Sequence, residues 1–122
     1  MSFTGTWYVV SSPDFDDDYL REEVEPYVKL KQVGDRVDGE YHIGLQMGSI
    51  DGRLQGKNQI LFSFEGSDEM DEVSGAGTAT VEGDRLTFTL MYHGGDEFIF
   101  ECEREGSSAG KTKSKKRSRV RR

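Results

Sequence analysis

The sequence predicts an all-β protein, an eight-stranded antiparallel up-and-down meander barrel with a short helix or lid loop after the first strand and a disordered C-terminal tail. Apolar side chains recur with period two, the period of a strand with one buried face, in Ile60, Phe62 and Phe64 and again in Leu86, Phe88, Leu90 and Tyr92. Phe98, Phe100 and Cys102 alternate with Ile99, Glu101 and Glu103, so the opposite face carries charge and meets water. Fifteen Gly and only two Pro are spread between these short runs, which favours many turns over long helices.

The first strand pattern, FTGTWYVV over residues 3–10, puts Phe3, Gly5, Trp7 and Val9 on one face, with Trp7 large enough to plug one end of a core. The segment SSPDFDDDYLREEVEP then breaks the rhythm. Asp16 is placed to cap a short helix through Tyr19, Leu20 and Glu23 that ends before Pro26, as a lid or crossing loop. Tyr27 to Val33 and Arg36 to Ile43 form a hairpin around Gly34-Asp35, with Val28 and Leu30 facing Val37, Tyr41 and Ile43. A fourth strand, Leu45 to Leu54, is interrupted by Gly48 and Gly52 after Gly44, the bends that a closing barrel requires. Residues 58–102 hold the remaining four strands. Their hairpins turn at Glu82-Gly83-Asp84-Arg85 and His93-Gly94-Gly95-Asp96, and Gly75, Gly77 and Ala79 leave space that bulky neighbours or a small cavity must take up.

A chain of 122 residues makes one barrel domain over residues 1–105, followed by a tail over residues 106–122. The tail, GSSAGKTKSKKRSRVRR, has one apolar residue larger than Ala and cannot offset the entropy of folding. It carries four Lys and four Arg without an acid, whereas residues 1–105 set the other eight basic residues against all 23 acids, a net −15. The strand pattern begins at Phe3 with no signal peptide, and no apolar run approaches the roughly 20 residues that span a bilayer. Cys102 is the single cysteine and faces inward, which excludes an internal disulfide. A soluble, cytoplasmic protein is expected.

Gly5-Thr6-Trp7 at the head of a run of short strands resembles the calycin-type barrels, the group of lipocalins, fatty-acid-binding proteins and avidins. In lipocalins a Gly-x-Trp on the first strand closes the barrel base and a basic residue near the last strand stacks on the Trp; the resemblance implies that part for Arg104. Gly39-Glu40-Tyr41 after the second hairpin turn is similar to the Gly-x-Tyr of avidins. The likeness covers residues 3–104 as architecture and implies no ligand.

Glu65, Asp68, Glu69, Asp71 and Glu72 crowd the turn between strands five and six, and a regular meander brings Asp96 and Glu97 to the same barrel end. Together with His42 and His93, on the outward face near equivalent strand ends, they form a candidate binding rim for a divalent cation, a proton or a basic protein partner. Asp14, Asp16, Asp18 and Glu25 have the carboxylate spacing of a twelve-residue EF-hand loop, but Tyr19 stands where that loop needs Gly and Pro26 replaces the exiting helix. In the tail, Lys111, Lys113, Lys115, Lys116, Arg117, Arg119, Arg121 and Arg122 would bind nucleic acid or another polyanion through counterion release, without reading sequence.

There is no nucleophile elbow, no phosphate-binding Gly loop before a helix and no paired cysteine, so no catalytic residue and no cofactor is assigned. The leading expectation is a non-enzymatic binding or interaction module with an acidic barrel surface and a cationic tail. A small barrel enzyme or metal-dependent binder using the rim with His42 and His93 is one alternative, and a carrier of a small apolar ligand inside the barrel is the other.

Overall fold

In the computed structural model, which describes residues 2–106, the strands run β1 (Gly5–Ser11), β2 (Tyr27–Val33), β3 (Arg36–Ile43), β4 (Gln46–Leu54), β5 (Gln59–Asp68), β6 (Asp71–Glu82), β7 (Arg85–Tyr92) and β8 (Glu97–Arg104), with helix α1 (Asp17–Leu20) between β1 and β2. Each strand pairs antiparallel with its sequence neighbour, and β1 closes on β8 through Trp7 opposite Arg104 and Val9 opposite Cys102. The result is the eight-stranded up-and-down barrel that the period-two pattern dictates. Residues 107–122, and with them every charged tail residue from Lys111 to Arg122, lie outside the described residues.

The inward faces are those that alternation assigns. Ile60, Phe62, Phe64, Leu86, Phe88, Leu90, Phe100 and Cys102 join Trp7, Val9, Val28, Leu30, Val37, Tyr41 and Ile43 in one buried core. The space beside Gly77 is taken by Phe62: a Cβ added at Gly77 would stand 2.6 Å from the Phe62 ring, which stacks on Phe88 at 5.2 Å between centroids. Bulky neighbours therefore fill that side of the interior. Barrel closure also presses backbones together where β3 crosses β2, so that a Cβ at Gly39 would lie 2.0 Å from the Lys29 carbonyl oxygen.

The two barrel ends differ. At the base, Phe3 and Trp7 are buried, the indole N–H of Trp7 donates to the Phe3 carbonyl at 2.9 Å, and Arg104 covers the indole face. The opposite end is crossed by the β1–β2 connection and α1. Asp16 caps the helix by accepting from the Tyr19 N–H at 2.9 Å, as its position predicts, but the helix stops at Leu20 and Glu23 lies beyond it. Strand β1 also begins two residues later than the pattern suggests, because Phe3 folds under Trp7 and leaves the ladder to Gly5. Helix α1 is too short to cross a membrane, and no described helix is long and apolar enough to do so.

Candidate functional site at the helix-covered end

The covered end is built from the β1–β2, β3–β4, β5–β6 and β7–β8 connections, which a meander brings to one side. Backbone hydrogen bonds join them: Gly44 N–H donates to Leu20 O at 3.1 Å and Glu69 N–H to Leu45 O at 3.0 Å. The approach to α1 is fastened to β8, since the Ser12 hydroxyl donates to Ile99 O at 2.6 Å and Asp14 accepts from the Ile99 N–H at 2.7 Å. Leu20 is buried, and Tyr19 lies so close over Gly44 that a Cβ there would sit 2.3 Å from its ring; Gly44 also holds φ at +63°, a conformation that favours glycine.

Beneath this roof the core ends in aromatic rings and a few polar groups. Phe15 stacks on Tyr19 at 4.5 Å and touches Phe98 at 4.9 Å and Phe100 at 5.8 Å, while Tyr92 packs against Phe64 and Phe98. Gln46, fully buried, links two hydroxyls: its carbonyl oxygen accepts from Tyr92 at 2.5 Å and its amide donates to Tyr19 at 3.1 Å. The Tyr41 hydroxyl, in a residue 1% exposed, has no hydrogen-bond partner among the described residues. Burial first, and then the charge of Asp68, raise the Tyr41 and Tyr92 pKa values, so both remain neutral phenols.

The candidate rim divides. On β5 the inward positions are Ile60, Phe62, Phe64, Gly66 and Asp68, so Asp68 points into the barrel mouth opposite Gln46 and is half-buried. Its carboxyl pKa is raised, by burial and then by Asp71. Asp71 and Glu72 open β6 instead of standing in a broad loop, because the turn is tight: only Glu69, with φ +60°, and Met70, 95% exposed, separate the strands. Glu65 is exposed on the outer face and lines a shallow groove over β4–β7 with Ser49, Ser63 and His93. Asp96 and Glu97 lie at the β7–β8 turn, on the same end as the acidic hairpin.

The two histidines are not together, since β3 and β7 lie four strands apart in a closed ring of eight. His42 faces outward, 2.9 Å from Glu23, and His93 is exposed. The four carboxylates with EF-hand spacing do not converge either. Asp14 holds the Ile99 amide, Asp16 caps α1, Asp18 lies in the first helical turn and Glu25 pairs with Arg21 at 3.6 Å. Among the described residues no group of three or more His, Cys, Asp or Glu is placed to hold a metal ion. Cys102 is fully buried and burial raises its thiol pKa, as its inward parity predicts.

Charge is concentrated at this end. Residues 12–25, 67–72 and 93–97 hold 13 of the 23 acids with Arg21 as their single Lys or Arg, a net −12. Arg21 itself is bonded to Asp17 and lies near Glu25. The rest of residues 1–105 is close to balanced, with ten acids against seven bases.

No family model matches the chain, and no curated protein matches it. Among solved structures, a human cellular retinol-binding protein, cRBP IV, is similar with a TM-score of 0.54 at 14% identity, over 85% of this chain and 98% of that one. The likeness is one of fold: this is a calycin-like barrel.

Proposed function

We propose that the chain is a non-enzymatic binding module that takes a small, largely apolar ligand into the helix-covered end of its barrel. The observation that carries this reading is the Tyr41 hydroxyl, buried and without a partner among the described residues, in a side chain packed against the rings of Phe64 and Phe88. A buried hydroxyl left unpaired costs about 1–3 kcal/mol, a cost that a hydrogen bond to a ligand would remove.

Phe15 is the natural competitor. Its ring comes from the connection before α1 and fills the space between Tyr19, Phe98 and Phe100. An incoming apolar group would take that space by displacing the Phe15 side chain, while Ser12 and Asp14 keep the connection fastened to β8. Apolar walls with few polar groups are the usual composition of a small-molecule site, and among the described residues none of the buried side chains of the core is a cation that could hold a nucleotide phosphate. The retinol-binding name of the similar structure accords with this reading.

The test is a fluorescence titration with N-phenyl-1-naphthylamine, a neutral apolar dye, on the full chain and on Phe15→Ala. Saturable one-to-one enhancement, tighter in the variant by about 10-fold for the removed ring, is expected. Absence of saturable enhancement in both proteins would refute an interior site.

A further inference from the structure

The geometry points to a specific ligand class for the proposed mouth: a lipophilic amine, its hydrocarbon part among the aromatic rings and its protonated nitrogen between Asp68 and the Tyr41 hydroxyl. This rests on the interior-site reading above and adds the identity of the polar group.

An inward carboxylate, an unpartnered hydroxyl and nearby aromatic rings together select a cation. Strand parity turns Asp68 inward, with Asp71 directly opposite it on the same face, so acids and not bases guard the entrance to the apolar interior. The hydroxyl of Tyr41 is buried and has no partner among the described residues, and the register brings it to the Asp68 side: Gly48 stands opposite Tyr41 on one flank and opposite Gly66, two residues before Asp68, on the other. Tyr19 and Tyr92 already have Gln46 as their partner, so Tyr41 keeps the free oxygen lone pairs that an ammonium N–H can use. Tyr92 and Phe98 pack edge to face at the same barrel end, and ring faces attract a cation.

Competing head groups fit less well. A carboxylate or phosphate would enter a −12 end whose one cation, Arg21, is engaged by Asp17 and Glu25. An alcohol would satisfy Tyr41 but leave the Asp68 carboxylate without a gain. An ammonium satisfies both, and the field of the acidic end draws it in before contact.

The experiment displaces the bound dye with dodecylamine, dodecanol and dodecanoate, all below their micellar concentrations, at 0.15 M salt and pH 7. One hydrocarbon tail with three heads isolates the head. The amine should compete about 10-fold or more better than the alcohol, the worth of one charge-assisted hydrogen bond, and dodecanoate should be weakest. Asp68→Asn should bring amine and alcohol within about 2-fold of each other, whereas Glu22→Gln, which removes one exposed charge from the same acidic end, should keep the preference. Equal competition by amine and alcohol in the unmodified chain overturns the amine assignment and leaves the interior site standing. A preference that survives Asp68→Asn also overturns it, since the field alone would then be responsible. Failure of all three compounds to displace the dye overturns the interior site itself.

Discussion

The guanidinium of Arg104 lies over the indole of Trp7, its carbon 4.1 Å from the ring centroid. The same group donates to the carbonyl oxygens of Ser2 and Thr4, each at 3.0 Å, and its Nε is 3.5 Å from Asp84. One side chain thus ties the first residues, β1, the β6–β7 turn and β8 together. Arg104→Ala should lower stability in urea by about 2–4 kcal/mol, from one cation–π contact and two charge-assisted bonds. Arg104→Lys should restore only part, because an ammonium cannot cover the ring and reach both carbonyls. A loss under about 0.5 kcal/mol on Arg104→Ala would reduce the contact to an exposed decoration.

Phe88 is the centre of the aromatic core, fully buried and in contact with Phe62, Tyr41 and Phe100. Phe88→Ala should cost about 3–5 kcal/mol in equilibrium unfolding, the sum of lost transfer energy and a cavity that a closed barrel cannot collapse. A cost below about 1 kcal/mol would mean that the two faces of β7 had been exchanged.

Tyr41→Phe removes a buried hydroxyl that bonds to nothing among the described residues. The variant should be as stable as the parent or more stable by up to about 1–3 kcal/mol, the desolvation cost of an unpaired polar group. A destabilised variant would reveal a partner for the hydroxyl within the fold and remove the main support for an interior site.

For Asp68 the sign follows from its raised carboxyl pKa. The folded state holds this proton more tightly than the unfolded chain, so the group's stabilising contribution is present at low pH and is lost as pH rises through the folded value. At neutral pH its charge works against the fold. Thermal unfolding of Asp68→Asn should therefore show a gain over the parent at pH 7 that shrinks toward pH 4, near the ordinary carboxylate range. A variant less stable at pH 7 would show that the carboxylate serves the fold, and not a ligand at the fold's expense.

The tail gives an expectation from sequence alone. Eight positive charges in residues 106–122 should bind a labelled oligonucleotide weakly and without sequence preference at low salt, with an affinity that falls steeply as salt is added. Removing those residues should leave barrel stability unchanged and abolish the binding, since the −15 domain repels nucleic acid. If the full chain does not bind even at low salt, the tail's charge has another destination, a protein partner or its own domain.

How far the sequence could be read depended on which residues repeat a rule. Alternation placed Phe62, Phe88 and Phe100 inside because period two holds along a whole strand, and β2 and β3 begin and end where Gly34-Asp35 makes them turn. The site was harder, because its members break the polarity rule. Asp68 reads as one more turn acid among Glu69, Asp71 and Glu72, although counting by twos from Phe64 through Gly66 turns it inward. Gln46 was missed for the same reason: a glutamine beside two glycine-interrupted positions reads as surface, yet parity with Ile50 buries it. Nothing in the sequence reveals that Gln46 satisfies Tyr19 and Tyr92 and leaves Tyr41 without a partner, since that depends on three connections meeting at one end. His42 and His93 mislead for a related cause: equivalent ends of β3 and β7 share a height on the barrel and lie across its diameter.

The hydrogen bonds from Arg104 to Ser2 and Thr4, and from Glu105 N–H to Thr6 O at 2.7 Å, bring both ends of the described chain to the barrel base. The molecule therefore has a foot and a mouth. Any tether at residue 2 or residue 106, a fusion partner or a biosensor surface, would hold the acidic mouth outward and free. For the same reason the ends can be joined by a short linker and the chain reopened elsewhere: a circular permutant cut between Glu69 and Met70 would keep every strand while placing its new termini beside the entrance.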